Sequence, residues 1–327
     1  MKMNHRFIAT LIARILLCLS MSIASLSASA QIKSLVILTL EDSDTTEEIR
    51  SGIRDALRAG GLQEGKQYKI QSANAQGSPE IASKQALELI RGKPDVILAL
   101  SQPNAQAAAA HTTTMPIVFV GVTDPIEAGL VPGWGASGTN VTGVSDVLAL
   151  SRRIPLIRQV VPAAKRVGVI FNATDTASVA QVREFQTLLG EAGLVMVEAT
   201  ANRPIDVASA ARSMAGKVDL IYTLHDATVL KAYAQLVATA NQTRVPLLAS
   251  EFAQVKQGAV AAVDITGRDL GLAAGRLTLR VLRGAKPGTI PIEVMQKPPV
   301  YLNSQAAQRQ GVGLSESLVK SASQVLK

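Results

Sequence analysis

The sequence predicts an α/β protein made of two similar, doubly wound, Rossmann-like lobes. Three observations carry that prediction. After residue 30, short β-rich runs alternate with helical stretches. The strands read as unbroken apolar runs, which marks strands buried on both faces and so a parallel sheet with helices on either side. The pattern is also written twice: "GKPDVILALSQ" (Gly92–Gln102) matches "GKVDLIYTLHD" (Gly216–Asp226) in residue type, and "TTTMPIVFV" is echoed by "QTRVPLLAS".

In the first half, Leu35–Leu40 reads as a strand. Thr46–Ala59 reads as a helix with Ile49, Ile53 and Leu57 on one face, stopped by Gly60 and Gly61. A strand over Tyr68–Ser72, a helix over Glu80–Arg91 and a strand over Val96–Leu100 follow. An Ala-rich helix over Gln102–His111 and a strand over Ile117–Val122 complete the half. The second half predicts strands at Arg166–Phe171, Val195–Ala199, Leu220–Thr223 and Pro246–Ala249. Between them lie helices at Ala177–Ala192, Ile205–Met214 and Ala227–Ala240. No element is assigned beyond Ala249.

The first thirty residues read as an export signal. Lys2 and Arg6 give a charged start, Phe7–Met21 is mostly apolar, and Ala28-Ser29-Ala30 fits an A-x-A cleavage site. The apolar run contains Arg14 and is short for a membrane span. Cys18, the only cysteine, lies within it, so cleavage after Ala30 leaves no thiol or disulfide chemistry. The net charge of +8 comes from scattered residues, and aromatics make up only 3%. Without a basic block or aromatic interleaving, nucleic-acid binding is not supported.

Enzyme signals are weak. "GWGASG" (Gly133–Gly138) fits G-x-G-x-x-G but neither follows a strand nor opens a helix. "GGLQEGKQ" (Gly60–Gln67) has Gln67 where a phosphate-binding loop needs Ser or Thr. Beyond the leader the only histidines are His111 and His225. No paired-His spacing or acidic cluster marks a metal site, and no cofactor is expected.

In doubly wound sheets ligands sit beyond the carboxyl ends of the strands. Two facing lobes would bring those loops to one cleft, a favoured place for small-molecule pockets. "MPIVFVGVTDP" therefore matters, because a buried strand delivers Thr123 and Asp124 to its last residues. Asp124 is a catalytic acid or base, a ligand contact, or a turn residue ahead of Pro125. Ser101 is expected to cap the helix beginning at Gln102-Pro103. That helix start would offer amides to an anion. Asp124, Asp146 and Asp226 are expected to hold an ammonium, with Asp226 removable without unfolding. Asp42 and Glu251 are further candidates of this kind.

The segments "MPIVFVGVTDPIEAGLV", "NVTGVSD", "RVGVIFN", "QGAVAAVDI", "LGLAAGRLTLRVLRGAKPGTIPIE" and "YLNSQAAQRQGVGL" closely resemble the TrpX-like substrate-binding proteins of ABC importers. The resemblance covers nearly the whole chain after the leader. It implies a type I periplasmic binding protein whose lobes are joined by a three-segment hinge. The implied lobes are 31–145 with 265–292, and 146–264 with 293–327. The implied hinges lie near Ser145–Leu148, Asp264–Gly267 and Ile292–Val294. It also implies a periplasmic monomer that closes on a small ligand and docks on an ABC permease in the inner membrane, which works with a cytoplasmic ATPase. Carried over by residue, it points to Ser101, Gln102, Thr123, Asp124, Asp146, Asn172 and Asp226. The chain departs from the family at "NATDTAS", where Ala173 and Ala177 replace polar residues. The expected ligand is an amino acid or related zwitterion. A sugar or nucleobase is the alternative within the fold, and an exported α/β enzyme the alternative outside it.

Overall fold

The computed structural model describes residues 32–327; the expected export signal lies outside the described residues. In the first half, β1 (Lys33–Thr39), α1 (Asp44–Ala59), β2 (Tyr68–Asn74), α2 (Pro79–Arg91), β3 (Val96–Leu100), α3 (Gln102–His111), β4 (Ile117–Val120) and β5 (Val141–Val144) follow in order. The chain then enters a second unit through a 3-10 turn at Leu150–Arg153 and α4 (Ile154–Val160). Next come β6 (Arg166–Phe171), α5 (Thr176–Glu191), β7 (Val195–Thr200), α6 (Val207–Met214) and β8 (Leu220–Thr223). They are followed by α7 (Ala227–Lys231), α8 (Tyr233–Thr243), β9 (Leu247–Ala249), α9 (Phe252–Gln257) and β10 (Ala261–Val263). The last elements are α10 (Gly267–Leu282), β11 (Val300–Asn303), α11 (Ser304–Arg309), α12 (Glu316–Ser321) and β12 (Gln324–Leu326).

The first sheet has the order β2-β1-β3-β4-β5 and is parallel throughout. The second has the order β12-β11-β10-β9-β8-β6-β7, with β10 and β11 antiparallel. The order reverses between β1 and β3, and again between β6 and β8. A ligand crevice opens outside the strand ends at such a switch point. Each sheet is covered on both faces. Helices α1 and α10 pack on one side of the first sheet and α2 and α3 on the other. Helices α4, α5, α11 and α12 cover one face of the second, and α6 to α9 the other.

The repeated "GK-x-D" has a shared structural cause. Asp95 accepts from the amide of Ser34 (2.8 Å), and Asp219 accepts from the amides of Lys165 and Arg166 (both 2.8 Å). Each carboxylate thus caps the amino end of its lobe's first strand.

The long helix α10 belongs to the first lobe although its residues follow the second sheet in sequence. Its face "G-x-x-x-G-x-x-x-G" (Gly267, Gly271, Gly275) lies against α1. A Cβ on Gly275 would come within 2.6 Å of the Ala56 Cβ, and one on Gly271 would strike the Ile49 carbonyl. Gly52 answers from α1, where a Cβ would sit 2.6 Å from the Arg268 carbonyl. Only glycine lets these backbones approach so closely.

Several boundaries differ from the sequence reading for local reasons. The strand expected to reach Val122 stops at Val120, because Gly121 turns the chain with φ +71°. The helix expected from Ile205 begins at Val207 after a 3-10 turn, leaving Ile205 exposed. The helix expected over Ala227–Ala240 breaks at Ala232. There the Tyr233 ring enters the core, with its hydroxyl 3.3 Å from Thr223 Oγ1.

Candidate functional site

The chain crosses between the sheets three times: after Val144, after Val263 and between Thr289 and Val300. The first and third crossings run side by side. Glu293 donates its amide to the Gly143 carbonyl (2.9 Å), and Ser145 donates to the Glu293 carbonyl (3.0 Å).

At the first switch point a cavity of about 230 Å³ lies outside β1, β3 and β4. Glu41, Ser43, Ser101, Gly121, Asp146 and Leu270 line it. Ser101 does not cap α3 as expected. It holds φ +80°, ψ 160°, a backbone region that side chains rarely adopt, and its hydroxyl accepts no backbone amide of the helix's first turn. Instead the Asn104 side chain donates to the Leu100 carbonyl (2.8 Å) and lies 3.3 Å from the Ser101 hydroxyl. Such strained positions cluster at ligand sites. Asp146 is half-buried. Its Oδ1 accepts from the Thr123 hydroxyl (2.8 Å), whose carbonyl in turn accepts from the Ser145 hydroxyl (3.0 Å). Oδ2 of Asp146 has no protein donor among the described residues and faces Gly121.

The second lobe offers a cavity of about 370 Å³ at the carboxyl ends of β8 and β9. Arg153, His225, Ser250 and Glu251 line it, with Gln181 and Glu184 from α5. His225 Nδ1 lies 2.6 Å from Glu251 Oε1, while Glu251 Oε2 accepts from the Gln254 side chain (3.1 Å). Beneath this cavity the Tyr222 hydroxyl is buried, and that burial pushes its pKa up to about 12. Burial likewise holds the Asp264 carboxyl above its ordinary range, despite donation from the amides of Phe252 and Ile265 and the nearby charge of Arg153.

The other predicted residues lie elsewhere. Asp226 is 2% exposed. Its carboxylate accepts from the amides of Asn172 (2.7 Å), Thr228 (2.8 Å) and Val229 (2.9 Å) and from the Ser178 hydroxyl (2.5 Å). That corrects the expectation of an ammonium ligand. Asp226 is the N-cap of α7 and ties β6, α5 and α7 together. Asn172 turns its side chain to Thr228 and Thr174. Asp124 accepts from the amides of Ile126 (3.0 Å) and Glu127 (2.9 Å), a turn role ahead of Pro125. Asp42 bridges Arg50 (3.0 Å) and the Asn74 side chain (2.7 Å), and Gln102 is exposed outside both cavities. Sequence reasoning missed Arg153, which no strand end announces.

A larger cavity, of about 580 Å³, lies at the opposite end of the first sheet, among Lys33, Asp95, Pro116, Asn140 and Lys286. It is at the amino ends of the strands, away from the switch point. Among the described residues no group of His, Cys, Asp and Glu could hold a metal, and no helix is long and apolar enough to cross a membrane.

The family model for ABC transporter substrate-binding proteins matches residues 34–326. The chain belongs to that family. It is 32% identical over 271 residues to a tyrosine-binding protein of Clostridioides difficile, covering 83% of this chain and 79% of that one. Two solved structures each match 90% of this chain and all of theirs. One is an ABC domain from Streptococcus pneumonia in complex with L-Trp, at 30% identity and a TM-score of 0.61. The other is a substrate-binding protein with adhesive properties from Clostridium difficile in its ligand-free, open structure, at 27% identity and a TM-score of 0.77. The two lobes are those of the type I periplasmic binding proteins. This solute-binding protein of an ABC transporter works by binding, not by chemistry.

Proposed function

We propose that the chain is a periplasmic amino-acid-binding protein that closes its two lobes on one ligand and delivers it to an inner-membrane permease. The observation that carries the reading is the cavity at the first switch point. There the open oxygen of Asp146 and the strained start of α3 at Ser101 border one space. An α-ammonium suits the carboxylate, and an α-carboxylate suits the amides of a helix start. The tyrosine and tryptophan named for two relatives favour the same ligand class.

We take the lobes to exchange at 145/146, 264/265 and 292/293, a division supported by the three passages between the sheets, and those passages to act as the hinge. The TM-score of 0.77 to a relative in its ligand-free, open structure supports an open arrangement here. Closure would then bring the cavity that holds Glu251 over the one that holds Ser101 and Asp146. A ligand shifts that equilibrium only by its differential affinity for the closed form. The protein acts as a monomer and takes no nucleic acid.

A thermal-shift screen of residues 31–327 against amino acids, sugars and nucleobases tests the ligand class, since binding to the folded state raises its apparent stability. A shift with an amino acid is expected. A shift with a sugar or nucleobase and none with any amino acid would overturn the reading.

A further inference from the structure

Arg153 ends the 3-10 turn at Leu150–Arg153 and lines the second lobe's cavity. Its Nε is buried and has no hydrogen-bond partner. Its one hydrogen bond is from Nη1 to the Leu148 carbonyl, at 3.3 Å. It forms no ion pair among the described residues. The acids around it are otherwise engaged or turned to solvent. Glu251 is held by His225 and Gln254, Asp264 accepts two backbone amides, and Glu184 is exposed on α5. A half-buried guanidinium with open donors is costly unless an acceptor arrives.

We propose that Arg153 recognises an oxygen at the tip of the ligand's side chain, and so selects amino acids that end in a phenol or a carboxylate. This rests on the amino-acid reading above. The ligand's ammonium and carboxylate share one carbon, and that reading seats both at the first lobe's cavity. Its side chain therefore points across the cleft, to the wall that carries Arg153. A guanidinium donates to such an oxygen with fixed geometry, and a hydrocarbon tip would leave it unpaired.

The test is calorimetric titration of residues 31–327 with two matched pairs, L-tyrosine against L-phenylalanine and L-glutamate against L-norleucine. The first pair reads a phenol and the second a carboxylate. In at least one pair the oxygen-tipped member binds about tenfold tighter or more. Arg153→Met reduces that ratio to near one while affinity for the hydrocarbon member changes less than about threefold. Arg153→Lys, which retains the charge without the planar fork, keeps part of the ratio. It decides the matter if the Met variant does not fold. Equal affinity within both pairs, or a ratio unchanged in both variants, would overturn the proposal while leaving the amino-acid reading intact. Absence of binding by every amino acid would overturn both.

Discussion

Asp226→Ala should destabilise the second lobe rather than simply weaken ligand binding. The side chain is 2% exposed, and its two oxygens accept from three backbone amides and one hydroxyl. Alanine leaves all four donors without that acceptor where solvent cannot enter. A hydrogen bond to a charged group contributes about 1.5–3 kcal/mol, but four on one carboxylate do not add. Removing one partner of a buried charged network costs about 3–5 kcal/mol, a large share of the roughly 5–15 kcal/mol that holds a domain together. Asp226→Asn is milder. Its remaining oxygen still caps Thr228 and Val229, while the amide group meets the donors of Asn172 and Ser178, a loss of about 2 kcal/mol. Urea unfolding of the ligand-free proteins, followed by circular dichroism, measures both. An alanine variant within about 0.5 kcal/mol of wild type would refute the reasoning.

Three other outcomes are expected. Gly271→Ala places a methyl on the Ile49 carbonyl of α1. Over-packing of about 1–3 kcal/mol outweighs a helix-propensity gain of about 1 kcal/mol, so urea unfolding should show lower stability; a gain would contradict the close-packing account. Asp146→Asn should weaken amino-acid binding about 10- to 100-fold in calorimetry with the thermal midpoint unchanged, and unaltered affinity would remove Asp146 from the site. Asp264 has a folded pKa raised chiefly by burial, so its contribution is fully present below the ordinary aspartate value of about 3.9 and is lost as pH rises through the raised value. The stability difference between wild type and Asp264→Asn should therefore move in favour of wild type as pH falls from neutrality through that window. A difference independent of pH would refute the assignment.

Much of the architecture was legible because it repeats. Strands buried on both faces leave unbroken apolar runs, and the doubled "GK-x-D" marks the same strand-capping carboxylate in each lobe. The last third was harder to read. Strands β10 and β12 are only three residues long, and α10 packs on a lobe whose sheet ends more than a hundred residues earlier. The site was legible as a set of loops but not as a set of contacts. Asp124, Asp146 and Asp226 all follow strands, and sequence alone cannot say where each carboxylate turns. Amides already surround Asp226, a turn takes Asp124, and only Asp146 keeps an open oxygen in a cavity. Arg153 escaped notice because it lies on a crossover, where one arginine beside another at Arg152 looks like a solvated pair.

Equilibrium dialysis of residues 31–327 against an equimolar mixture of the twenty L-amino acids, with mass spectrometry of both compartments, tests the central claim most directly. The account predicts that one amino acid is enriched with the protein at a ratio approaching one to one and is recovered unchanged. Enrichment of none of them, or recovery of the enriched compound as a new product, would contradict it.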